Sequence, residues 1–226
     1  MNESHKESSK ITLSEQIYQK LRHDIIKQII PCGKKLTLQA LKTEFGVSHT
    51  PIREALTRLS EEGLLSYYSN CGVRVVTFTE QDVQELYQFI SELDAMALTF
   101  CQYSFSHSPL LFELEDTLNH SNKLIEANDF EGWQDCSEDF HLAFYKHAHN
   151  HYLEDAARKV RAKISLLSAL YRSDENVYLI QQNHQNIYDV VKDGNYHAGA
   201  DLMRKHSQDN IAFALRACHS LSASDK

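Results

Sequence analysis

The chain has 226 residues, 42% of them hydrophobic, with only 7 Gly and 3 Pro. That length allows one large domain or two small ones, and the long Leu/Glu/Lys/Gln stretches favour a mainly helical protein over a sheet-rich one. A net charge of −8 argues against a uniformly basic nucleic-acid binder, and no run reaches the roughly 18 apolar residues that a membrane span needs.

The charge is divided unevenly. Residues 1–77 hold 11 Lys+Arg against 8 Asp+Glu, a net of +3, whereas residues 78–226 hold 12 against 23, a net of −11. The opening MNESHKESSK is polar and reads as a tail over residues 1–10, with no apolar leader, so the expected compartment is the cytoplasm. Five cysteines, odd in number and without a C-x-x-C pair, read as reduced thiols.

The first helix is expected to start at Thr12, with Glu15 completing a capping box. Ile17, Leu21, Ile25 and Ile29 follow at helical spacing, and Pro31-Cys32-Gly33 ends the run. Thr37 can cap a second helix that buries Leu38, Leu41 and Phe45, and Gly46 makes the turn. Ser48 can cap a third helix, with Ile52, Ala55, Leu56 and Leu59 inside and Gly63 closing it. Two short strands, Leu64–Tyr68 and Val73–Thr77, flank Ser69-Asn70-Cys71-Gly72 as a hairpin. This order, helix-turn-helix followed by a hairpin, predicts a winged helix-turn-helix over residues 11–78.

Thr79 and Asp82 then form a second capping box, with Phe78 stapled onto Val83, and the domain boundary is placed there. Six helices follow, over about 80–104, 109–127, 129–148, 151–171, 174–193 and 196–219, with no strand signal. Their short connections predict an antiparallel bundle over residues 79–220, before a tail at 221–226.

A DNA-reading helix exposes donors near its N-terminus and is flanked by groups that hold phosphate. In the third helix His49, Thr50, Arg53 and Thr57 face outward. Arg53 is the candidate for a bidentate guanine contact, and Thr50 with the free N–H groups of the first turn suits a phosphate. The segment GVSHTPIREALTRLSEEGLL, followed by NCGVRV, closely resembles the GntR family of bacterial transcription factors, which show V-S-R-T-P-V-R-E-A-L and an N-R-G wing turn. The resemblance implies DNA contacts from Gln39, Lys42, Ser48, His49, Thr50, Arg53, Asn70 and Gly72. Two family arginines are replaced, by His49 and Cys71. Losing two guanidinium forks is expected to lower affinity, alter the operator, or make binding pH-sensitive through His49.

The acidic half resembles the all-helical effector domain of the FadR subgroup, known as the FCD type, through Asp94, the phrase EDFHLAFYKHAHN, His184 and His206. That likeness implies a divalent metal on His141, His184 and His206, which holds a small carboxylate. Each of the three shares a helix face with apolar residues and sits on a different helix, so they can converge inside a bundle. Imidazole nitrogens favour Zn²⁺ or Ni²⁺ over Mg²⁺. The family's Asp four residues before His141 is Ser137 here, with Glu138 as a substitute ligand. The family's clamp arginine is Ile90, and Arg161 is the replacement candidate, unless it pairs with a neighbouring acid. Phe140, Phe144, Tyr145 and Tyr152 read as core, and Trp133 as packed at its helix start.

The expected function is a ligand-responsive transcriptional regulator, a repressor on family grounds, that binds a palindromic operator as a homodimer. Two alternatives remain: a metal-free sensor of an apolar or acyl effector, and a hydrolase with a tri-His metal centre, which would leave residues 1–77 without a role.

Overall fold

A computed structural model describes residues 11–68 and 72–224, leaving aside the side chains at 174 and 219–224. The chain divides into two compact units between Val76 and Thr77.

The first unit contains α1 (Leu13–Ile26), β1 (Lys35–Leu36), α2 (Leu38–Phe45), α3 (His49–Glu61), β2 (Leu65–Tyr68) and β3 (Gly72–Val75). The apolar positions of α1 and α3 meet in its core, where Ile17, Leu21, Ile25, Ile52, Ala55 and Leu59 are buried. Thr37 Oγ1 accepts from Ala40 N, and Gly46 closes α2 with φ +67°, a left-handed conformation that glycine adopts without penalty.

The three strands pair antiparallel in the order β1-β3-β2, with Leu36 opposite Val73 and Leu65 opposite Val75. β1 was not among the expected elements. Two residues carry no periodicity, and only their pairing with β3 makes them a strand.

The structure departs from two local expectations in α1. The first helix ends at Ile26, because Gln28 takes φ +60°, and Ile29 lies exposed beyond it rather than in the core. Its cap is also one-sided. Thr12 accepts from Glu15 N, but the Glu15 carboxylate pairs with Arg58 and accepts from Gln19.

The second unit is an all-helical bundle of α4 (Glu80–Cys101), α5 (Ser108–Glu126), α6 (Phe130–Ala148), α7 (His151–Tyr171), α8 (Asp174–Lys192) and α9 (Tyr196–Ser224). These spans follow the expected ones within three residues at each end, except that α9 runs to Ser224, five residues beyond its expected end and into the expected tail at 221–226, where no Gly or Pro interrupts it. The capping box that starts α4 is complete, and Phe78 packs against the core that contains Val83.

α9 lies along α4. Gly199 permits close packing of α9 on both neighbours, since a Cβ there would come within 2.8 Å of Val191 on α8 and 3.3 Å of Leu98 on α4. Phe140, Phe144 and Tyr145 are buried as expected, but Tyr152 is 77% exposed, because it stands in the first turn of α7 on the face away from the core.

Candidate functional site

The first candidate site is the outer face of the winged unit. Gln39, Lys42, Ser48, His49, Thr50, Arg53 and Gly72 are all exposed. Asn70 and Cys71 lie outside the described residues. Ser48 occupies the N-cap position of α3, yet its hydroxyl makes no capping hydrogen bond, contrary to expectation. The hydroxyl and the N–H groups of the first turn therefore stay available to an anion.

Arg53 and Thr57 from α3, Lys35 and Leu36 from β1, and Tyr67, Gly72 and Val73 from the hairpin line one open cleft. Lys35 and Tyr67 are additional to the residues expected on this face. Their signal was a basic residue and an exposed aromatic in strand positions next to the helix-turn-helix. Arg58 plays a different part: it pairs with Glu15 and lies 3.9 Å above the Tyr18 ring.

The second site is inside the bundle. His141 on α6, His184 on α8 and His206 on α9 are all buried, and a ring nitrogen from each lies within 4.8 Å of the others. Phe140 stacks on His184 at 4.3 Å between ring centroids, which fixes that imidazole. His184 Nε2 and His206 Nδ1 have no hydrogen-bond partner.

Asn210 stands 3.3 Å from His206 Nε2, and its own Oδ1 has no partner. With that amide turned, Nε2–H donates to Oδ1 and Nδ1 is left as a bare lone pair. Buried, unpartnered imidazole nitrogens that converge from three helices fit a borderline divalent metal.

A charged network flanks the histidines. Arg161 donates to Asp94 Oδ2 at 2.9 Å and to both oxygens of Glu138, at 2.9 and 2.5 Å. Tyr145 donates to Asp94 Oδ1 at 2.5 Å. His141 Nδ1 lies 3.0 Å from Asp94 Oδ2, although its N–H is not aimed along the contact. Burial raises the Asp94 pKa, but Arg161 and His141 outweigh it and hold the carboxyl at about 2.

Glu138 is thus bound to Arg161 and is not part of the histidine cluster, in contrast to its expected role as substitute ligand. Ser137 lines the cavity beside the cluster, as do Arg161 and Ile90. Arg161 takes the second of its two expected roles, pairing with acids across the bundle. The same cavity is lined by Trp133, Gln134, Tyr171, Arg172, Asn176 and Ser207, most of which the sequence did not single out. Trp133 is buried and donates its indole N–H to Gln181.

Residues 13–75 match the bacterial regulatory proteins of the gntR family, and residues 85–209 match the FCD domain. The chain belongs to the GntR family. This GntR protein is 27% identical over 197 residues to the uncharacterized HTH-type transcriptional regulator YdhC of Bacillus subtilis, covering 84% of this chain and 86% of the relative. It is 24% identical over 200 residues to the transcriptional repressor RspR of Escherichia coli, covering 87% and 86%. Its fold matches that of Escherichia coli McbR/YncC with a TM-score of 0.78 at 21% identity, over 92% of this chain and 99% of that one. It is a DNA-binding, ligand-responsive transcriptional regulator with an FCD effector domain. Among the described residues no helix is long and apolar enough to cross a membrane.

The buried imidazoles give this GntR regulator a pH signature in its metal-free form. Burial, reinforced by the neighbouring histidines, pushes His184 well below 6.5 and His206 down to about 3. Above pH 6.5 neither the folded nor the unfolded state holds the extra proton. Below it the unfolded chain takes protons that the folded one refuses, so stability falls as pH drops from about 6.5 toward 3. The expected loss is on the order of a few kcal/mol by pH 4. Urea unfolding of chelator-treated protein at pH 7, 5.5 and 4.5 would measure it, and a flat profile would contradict it.

Proposed function

We propose that the protein is a homodimeric repressor that binds a palindromic operator, and that a small carboxylate, attached to a divalent metal in the histidine cluster, controls it. The observation that carries this reading is the convergence of three buried imidazoles with unpartnered nitrogens, in a chain whose other unit exposes Ser48, Thr50 and Arg53 on one face.

Arg53 reads a guanine edge in the major groove, while Ser48, Thr50 and the first-turn amides of α3 hold phosphate. Gln39 and Lys42 grip the backbone from α2, and Gly72 lets the hairpin approach it closely. His49 contributes from the position of a family arginine. A single unit covers one half-site, so two copies are needed for a palindrome.

In the bundle, His141, His184 and His206 would hold Zn²⁺ or Ni²⁺. The bound ion would supply a Lewis-acid position for a carboxylate. Phe140 and Asn210 orient His184 and His206, and Asp94 lies against His141. An effector that touches residues of α4, α6, α7 and α9 stabilises one arrangement of the dimer over another, by the difference of its affinity for the two.

The cavity mixes polar residues such as Gln134, Ser137 and Asn210 with apolar Ile90, Trp133, Ile164 and Ile180, so it is the adjoining histidine cluster, not the lining, that favours a carboxylate over an acyl effector. Selection of bound sequences from randomised DNA tests the operator reading. The expected product is an inverted repeat with half-site centres spaced by about one helical turn, or a multiple of it. Recovery of an unrepeated half-site, or of no preferred sequence, would exclude it.

A further inference from the structure

The cavity beside the histidine cluster is lined by two arginines in different electrostatic states. Arg161, linked to His141 through their shared partner Asp94, is neutralised by Asp94 and Glu138 together. A further anion would have to compete with two carboxylates already in place, one of them buried, so Arg161 is a poor effector clamp.

Arg172 is the other. It stands at the C-cap of α7 in extended backbone, half-buried, and its Nη1 donates to Gln134 Oε1 at 2.5 Å. Gln134 is itself fixed, donating to Ser165 O at 2.9 Å. The guanidinium is therefore aimed by a neutral amide, which orients it without consuming its charge. Among the described residues it has no carboxylate partner. Among the described residues one of its five N–H donors is engaged, which leaves a fork that matches a carboxylate.

The placement also has a length. Gln134 and His141 lie on the cavity side of α6, seven residues apart, which is two helical turns or about 10 Å along the axis. Ser137 stands between them. We infer that Arg172 is the distal anion anchor of the effector site, and that the effector is a short dicarboxylate spanning from the histidine cluster to Arg172. The inference rests on the metal-linked reading of the cluster given above.

The enclosed space is about 50 Å³, room for only a few water-sized groups. A dicarboxylate therefore enters only if the lining helices move apart, so that binding and movement are linked.

The test uses full-length protein loaded with zinc and titrated by calorimetry with straight-chain dicarboxylates from succinate to adipate, each beside the monocarboxylate of equal length. The wild type is expected to bind at least one dicarboxylate about tenfold or more tighter than its monocarboxylate partner. Arg172→Gln should erase that preference while keeping its zinc, and Arg172→Lys, which retains the charge, should keep part of it. If the wild type shows no preference, or Arg172→Gln preserves it, the anchor role is wrong. Zinc content measured on the same samples separates the two levels. Wild type without zinc overturns the metal reading and this inference with it, whereas zinc retained without preference overturns the role of Arg172 alone.

Discussion

Replacing Arg53 with alanine is expected to reduce operator binding to the level of random DNA. The side chain is exposed in the middle of α3 and lines the cleft between that helix and the hairpin, with no ion pair among the described residues to hold it back. A bidentate arginine–guanine pair contributes about 1–3 kcal/mol of discrimination, and a dimer on a palindrome loses it twice. The combined loss, about 2–6 kcal/mol, corresponds to roughly 30-fold to 10⁴-fold in affinity. Binding to random DNA, which depends on phosphate contacts, should weaken far less.

Arg58→Ala is the matching control. Arg58 is tied to Glu15 and Tyr18 within the unit, so its loss should lower stability and leave operator preference intact. Band shifts on operator and scrambled DNA at fixed salt separate the two. Normal operator affinity for Arg53→Ala would remove Arg53 from the reading face.

The second large effect is expected from His184→Ala combined with His206→Ala. Wild-type protein purified without a polyhistidine tag, and supplied with Zn²⁺ or Ni²⁺, should hold about one ion per chain. The double variant retains His141 alone and should hold none at equal exposure. Changes to partners that merely orient a ligand already weaken metal sites by about 10–100-fold, so removing two ligands must exceed that.

Ser137→Asp supplies the complementary gain. It lines the same cavity one turn before His141, and a carboxylate there would add a charged oxygen to three neutral nitrogens. Tighter binding, by about 10-fold or more, is expected. Elemental analysis and competition with a chelator read both changes. An ion held equally by wild type and double variant would place the metal elsewhere, and no ion in any protein would make the three histidines core residues.

The elements of both units were legible in the sequence because their signals are local. Thr12, Thr37, Thr79, Gly46 and Gly63 punctuate the chain within one turn of the boundaries they set, and the apolar spacing of each helix marks its buried face. That spacing also put His141, His184 and His206 on inward faces. It could not reveal β1, whose two residues become a strand only against β3.

Charge pairing inside the cavity lay equally beyond it. Arg161 is separated by 67 residues from Asp94 and by 23 from Glu138, and Arg172 by 38 from Gln134. Periodicity tells which way a side chain points from its own helix. Which partner meets it depends on how the helices pack across the core, and a buried guanidinium between two carboxylates presents a different surface to a ligand than one held by an amide. The sequence by itself determined the two units, the reading helix and the three inward histidines. Only the packing of α4, α6 and α7 decided that Arg161 is neutralised, whereas Arg172 meets an amide and, among the described residues, no carboxylate.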